Sequence, residues 1–155
     1  MPGDVAGGAP RVPTPSDLAR LCAALNDVGA RYVVVGGMAV NYWGLPRLTQ
    51  DIDLLADRSP DNVRRVKRGL DVLADRAARD VAEGDVEQYT VVGVVDELTV
   101  DLMGRIADVE FANAESVDAV VDGIPIPLAT LRATAGSSGP SKDCAKRTAT
   151  TWCSC

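Results

Sequence analysis

The sequence predicts a mixed α/β (α+β) domain: a small mixed β-sheet with helices packed on one face. Two segments place apolar residues at helical spacing, Leu18-Leu21-Cys22-Leu25 and Val63-Val66-Leu70. Between and after them lie short apolar runs, including "RYVVVGG" and "ELTVDLM". Asp122-Gly123 separates two further runs, a strong hairpin signal. With 155 residues, 46% of them apolar, the chain suits one domain with a sizeable core.

Residues 1–15, rich in Gly, Pro and Ala, are expected to be disordered, and residues 16–131 to form the domain. Ser16 is placed to cap the first helix and Gly29 to end it. "RYVVVGG" reads as a buried strand closed by Gly36 and Gly37, which open a short helix over 38–43 that Gly44 and Pro46 terminate. "TQDIDLLAD" is the second strand. Ser59-Pro60 starts the next helix, with Val63, Val66, Leu70 and Leu73 on one face. Its other face carries Arg64, Arg65, Lys67 and Arg68, which reads as a solvated surface. After an acidic loop, "QYTVVGVV" and "ELTVDLM" pair across a turn at Asp96 and Glu97, and "SVDAVV" pairs with "IPIPL".

Composition excludes several classes. A formal net charge of -6 argues against a broad nucleic-acid footprint. No apolar run approaches the roughly 20 residues of a bilayer span, and the N-terminus has no basic-then-apolar leader, so no membrane association and a cytoplasmic location are expected. With no histidine and the Cys153–Cys155 pair separated by one residue, a zinc knuckle does not fit.

The informative stretch is "GGMAVNYWGLPRLTQDIDLL", residues 36–55. Side chains alternate along a strand, so Asp51 and Asp53 share one face while Ile52 and Leu54 take the other. In "ELTVDLM" the same alternation sets Asp101 apart from Leu98, Val100 and Leu102. If the two strands are neighbours, three acids meet and their charges need neutralising. Oxygen-only donors favour Mg²⁺ or Mn²⁺, with substrate phosphate completing the coordination, and this points to phosphoryl chemistry. Gly36 and Gly37, without side chains, would let a triphosphate approach the backbone.

"VVVGGMAVNYWGLPRLTQDIDLL", with the later "VDLM", resembles the nucleotidyltransferase superfamily of the DNA polymerase β type, in particular its minimal bacterial members and the AbiEii-like toxin branch. The pattern is an apolar residue, Gly, Gly or Ser, an Asp-x-Asp, and a third acid on a later strand. Here these are Val35, Gly36, Gly37, then after thirteen residues Asp51-Ile52-Asp53, then Asp101, and the likeness covers about residues 18–130. The resemblance implies that Asp51 and Asp53 bind metal and triphosphate and that Asp101 positions or activates an acceptor hydroxyl. Arg47 and Thr49 join Gly36 and Gly37 as candidate nucleotide contacts. The implied reaction moves a nucleoside monophosphate from NTP to tRNA, protein or a small molecule, with an antitoxin protein as a further partner. The alternative is a catalytically weak remnant or a regulatory interaction module.

From residue 132 the chain departs from this pattern. "RATAGSSGPSKDCAKRTATTWCSC" has no helical stripe, and residues 132–155 are expected to be unstructured. Read two bases on, Ser138–Ala145 can encode Arg-Pro-Lys-Gln-Arg-Leu-Arg, close to what such enzymes carry here, so a frameshift stands beside a natural tail as the origin.

Overall fold

A proline and a capping box start the first helix, α1 (Pro15–Asp27). The cap is Thr14, not Ser16: the Thr14 hydroxyl accepts the Asp17 backbone N–H, and the Asp17 carboxylate accepts the Thr14 backbone N–H. Ser16 instead donates to Asp122. In this computed structural model the described residues are 10–44, 49–130, 145–148 and 152–154. Residues 10–14 are tied down, contrary to the expected disorder, because Arg11 reaches both Asp17 and the Glu97 carbonyl.

Strand β1 (Tyr32–Val35) leads directly into α2 (Gly36–Tyr42), which starts at the glycine pair itself. Then follow β2 (Asp51–Ala56) and α3 (Pro60–Leu70), the latter with Ser59 and Pro60 at its start as expected. The acidic loop contains a 3₁₀ turn, Ala77–Asp80, and a one-turn helix, α4 (Asp85–Gln88). Strands β3 (Val91–Val95) and β4 (Thr99–Met103) form the expected antiparallel pair. A small ribbon, β5 (Arg105–Ile106) and β6 (Val109–Glu110), precedes the hairpin of β7 (Ser116–Val121) and β8 (Ile124–Ala129). Asp122 and Gly123 turn that hairpin with φ of 51° and 79°.

Six strands from this region form a mixed sheet in the order β3-β4-β2-β1-β8-β7. Its β2–β4 and β1–β8 pairs are parallel and the others antiparallel. Two further strands, β9 (Ala145–Thr148) and β10 (Trp152–Ser154), extend it beyond β3, so these parts of the tail differ from the expected unstructured segment. Without them β3 would leave a row of backbone donors and acceptors unpaired, and such an edge accepts any strand that reaches it.

Helices α1 and α3 cover one face, where Leu21, Leu25, Ile52, Leu54, Val66, Leu70, Val100 and Leu102 form the main core. The opposite face carries a smaller cluster, Val33, Val35, Leu55 and Ala129, roofed by Ile106, Val109 and Phe111. Amphipathic helices on one side only leave part of the other face free for polar side chains.

Candidate active site

Three acids lie on that second face. Strands β2 and β4 run parallel in a register that sets Asp53 level with Asp101 and Asp51 level with Thr99. Alternation sends Ile52, Leu54, Val100 and Leu102 into the helix-side core and turns Asp51, Asp53 and Asp101 the other way. One carboxylate oxygen from each acid lies within 4.8 Å of those from the other two, the one such group of three potential ligands among the described residues. Asp101 is buried and the other two are half-buried.

Sequence reasoning named these three acids; it did not see what the glycines do for them. Gly36 has φ of 70°, the left-handed region that L-residues avoid, and a Cβ built on it would overlap the Asp53 Oδ2 and come within 2.9 Å of its Cγ. A Cβ on Gly37 would come within 2.6 Å of the Thr49 Cβ and 2.7 Å of its Oγ1. Thus the pair clears the space in which Asp53 and Thr49 sit. The signal was there, in two glycines placed one strand away from a Thr-x-Asp-x-Asp run, but only the β1–β2 register converts it into contact. The Thr49 hydroxyl donates to the Asp51 carbonyl at 3.0 Å. At the other end of α2 the Trp43 indole N–H donates to the Ala129 carbonyl at 2.8 Å, fastening the helix to β8. Arg47 lies outside the described residues.

Other charged groups are engaged elsewhere. The Asp96 carboxylate accepts the backbone N–H of Asp75, Ala77 and Glu97, and Glu97 pairs with Arg20 at 2.8 Å, so neither substitutes for Asp101. On the far side of the sheet, Arg64 pairs with Asp61 and Glu83, and Arg65 with Asp61. They belong to the helix face expected to be solvated. A concavity of about 590 Å³ there is lined by Arg64, Lys67, Arg68 and Arg79 interleaved with Asp61, Asp71 and Glu83, a mixed surface with no dominant sign. Among the described residues no helix is long and apolar enough to cross a membrane.

Comparison with known proteins bears on the same segment. No curated protein matches the chain. A proposed nucleotidyltransferase from Thermotoga maritima has a similar structure, with a TM-score of 0.52 at 17% identity over 76% of this chain and 78% of that one, a likeness of fold. The family model of the nucleotidyl transferase AbiEii toxin, from type IV toxin–antitoxin systems, matches residues 18–129, which hold the glycine pair and all three acids. On that match, which spans most of its length, the chain is a nucleotidyltransferase and belongs to the AbiEii toxin family.

Proposed function

We propose that the chain transfers a nucleoside monophosphate from an NTP to an acceptor hydroxyl on tRNA, protein or a small molecule, with Asp51, Asp53 and Asp101 holding Mg²⁺ or Mn²⁺. The observation that carries this is the convergence of three carboxylates, from two strands, within 4.8 Å on the face opposite α1 and α3. The donor set fits a hard divalent ion: all oxygen and net negative, with Asp51 and Asp53 partly exposed, and such an ion takes its remaining ligands from phosphate and water. A bound ion supplies charge neutralisation for the triphosphate and a more acidic acceptor hydroxyl.

The chain's own groups divide the remaining work. Asp51 and Asp53, the less buried pair, face the incoming triphosphate, and the backbone at Gly36 and Gly37 lets the phosphates come close. Asp101, the most enclosed, orients the acceptor oxygen and takes up its proton as the new phosphodiester bond forms and pyrophosphate leaves. Arg47 is proposed as a phosphate contact. As a toxin-family member, the chain is further proposed to have a protein antitoxin as its partner.

The test is pyrophosphate release and NTP affinity, with and without Mg²⁺, for the parent chain and for Asp51→Asn, Asp53→Asn and Asp101→Asn. Either of the first two should lose Mg²⁺-dependent NTP binding and turnover together. Asp101→Asn should lose turnover while keeping most of the affinity, as expected for a group that acts mainly in the transition state. Unchanged turnover in Asp51→Asn or Asp53→Asn would refute the reading. Metal-dependent NTP binding by the parent chain without turnover, across the four NTPs with bulk tRNA and cell extract as acceptors, would instead select a nucleotide-binding remnant.

A further inference from the structure

Asp51 opens β2 at a place where the sheet holds it from one side only. Strand β1 stops at Val35, which pairs with Asp53, so Asp51 has no partner in β1 and is registered solely against Thr99 of β4. The Thr49 hydroxyl supplies a tie of its own, donating to the Asp51 carbonyl at 3.0 Å. Thr49 is itself held in place, because its Cβ and Oγ1 fill the hollow left by the missing side chain of Gly37. Gly37, Thr49 and Asp51 therefore form a short relay from the start of α2 to the first acid of the cluster.

We propose that Thr49 is a positioning residue for the metal site: its hydroxyl fixes the Asp51 peptide and so aims the Asp51 carboxylate at Asp53 and Asp101, with no contact to the nucleotide. A carbonyl pinned in this way restrains the ψ rotation of the residue that carries it, so the Cα–Cβ bond of Asp51 itself is held more closely than at a strand end free to rotate, and a metal ligand's affinity depends on such outer support. The proposal rests on the reading of Asp51 as a metal ligand.

The experiment measures Mn²⁺ affinity by electron paramagnetic resonance in the absence of nucleotide, together with metal-free melting temperature, for Thr49→Val, Thr49→Ser, Thr49→Ala and Asp51→Asn. Thr49→Val keeps the shape against Gly37 and removes the donor, so Mn²⁺ affinity should fall about 10-fold or more. Thr49→Ser keeps the donor and should stay within about 2-fold, the small change expected when an outer partner is retained. Thr49→Ala, which relieves any crowding at Gly37, should fall like Thr49→Val and serves in its place if the valine variant does not fold. Parent-like Mn²⁺ affinity in Thr49→Val or Thr49→Ala would overturn the proposal, including where NTP affinity alone is lost, since that result marks Thr49 as a direct nucleotide contact. A serine variant as weak as the valine variant would overturn it too. Parent-like Mn²⁺ affinity in Asp51→Asn would instead remove the metal reading of the site itself, separating the two failures.

Discussion

The carboxylate of Asp53 occupies the space in which a side chain on Gly36 would have to lie. Any residue but glycine at position 36 must displace this acid as well as adopt a positive φ. Gly36→Ala should therefore cost about 1–2 kcal/mol for the backbone alone. It should also abolish turnover at temperatures where the fold persists. Thermal unfolding and pyrophosphate release, run side by side, check both halves of the expectation.

At Gly37 the obstruction is the Thr49 Cβ, an atom on a short stem that cannot swing aside. On the sequence alone, a side chain at Gly37 is expected to obstruct the phosphates more than it disturbs the core. The contact at 2.6 Å shows that the fold is disturbed as well. Gly37→Val should lose roughly 1–3 kcal/mol of stability, the usual cost of overpacking. Pairing it with Thr49→Gly, which removes that Cβ, should return part of that loss, read from urea midpoints of the single and double variants.

Three carboxylates within 4.8 Å of one another repel when ionised, and a divalent ion among them lowers that repulsion. Asp101→Asn should raise the metal-free melting temperature, by an amount equivalent to roughly 1 kcal/mol, while removing much of the extra stability that Mg²⁺ gives the parent chain. Scanning calorimetry in chelator and in Mg²⁺ measures both effects.

The acid limb of the stability curve should reflect Asp17. The paired Arg11 guanidinium, and then the N–H and hydroxyl of Thr14, hold its carboxyl below its ordinary 3.8, against the opposing effect of burial. A depressed carboxyl contributes stability that is complete above its unfolded value and is lost as pH falls through the folded one. Asp17→Asn should accordingly be less stable than the parent at pH 7, by about 0.5–2 kcal/mol as for other helix caps, and the difference should shrink as pH falls below about 4. Urea titrations at several pH values test it.

Burial pushes the Cys22 thiol up to about 11, despite its hydrogen-bonding contact with Tyr32. At pH 8 the folded protein should leave Cys22 unalkylated, with labelling appearing only in denaturant. Peptide mapping distinguishes it from Cys144, Cys153 and Cys155.

Periodicity located the elements of the sheet and its covering helices, and alternation alone separated Asp51, Asp53 and Asp101 from their apolar neighbours, because both are local properties of the chain. What it could not give was non-local. That β2 lies beside β4 and in parallel, with Asp53 level with Asp101, depends on pairings chosen by the whole sheet. The cap at Thr14 was missed because Ser16 has the same chemistry and only the Asp17 carboxylate decides between them. The strands at 145–148 and 152–154 escaped notice because their pairing is supplied by an edge distant in sequence, with no apolar stripe of their own. The contact of Gly36 with Asp53 follows from the β1–β2 register, which no single segment encodes.

The parallel junction of β2 with β4 also sets a schedule for synthesis. Asp53 and Asp101 are 48 positions apart, so at about 5–20 residues per second a ribosome makes the second acid roughly 2–10 s after the first. Strand β1 waits longer still for β8, its parallel neighbour on the other side. During that interval the glycine turn and the Asp-x-Asp strand have no third carboxylate to complete them, and closing the long crossover costs chain entropy that only the finished sheet recovers. On the role proposed for Asp101, the nascent chain therefore has no complete site until β4 has emerged and docked.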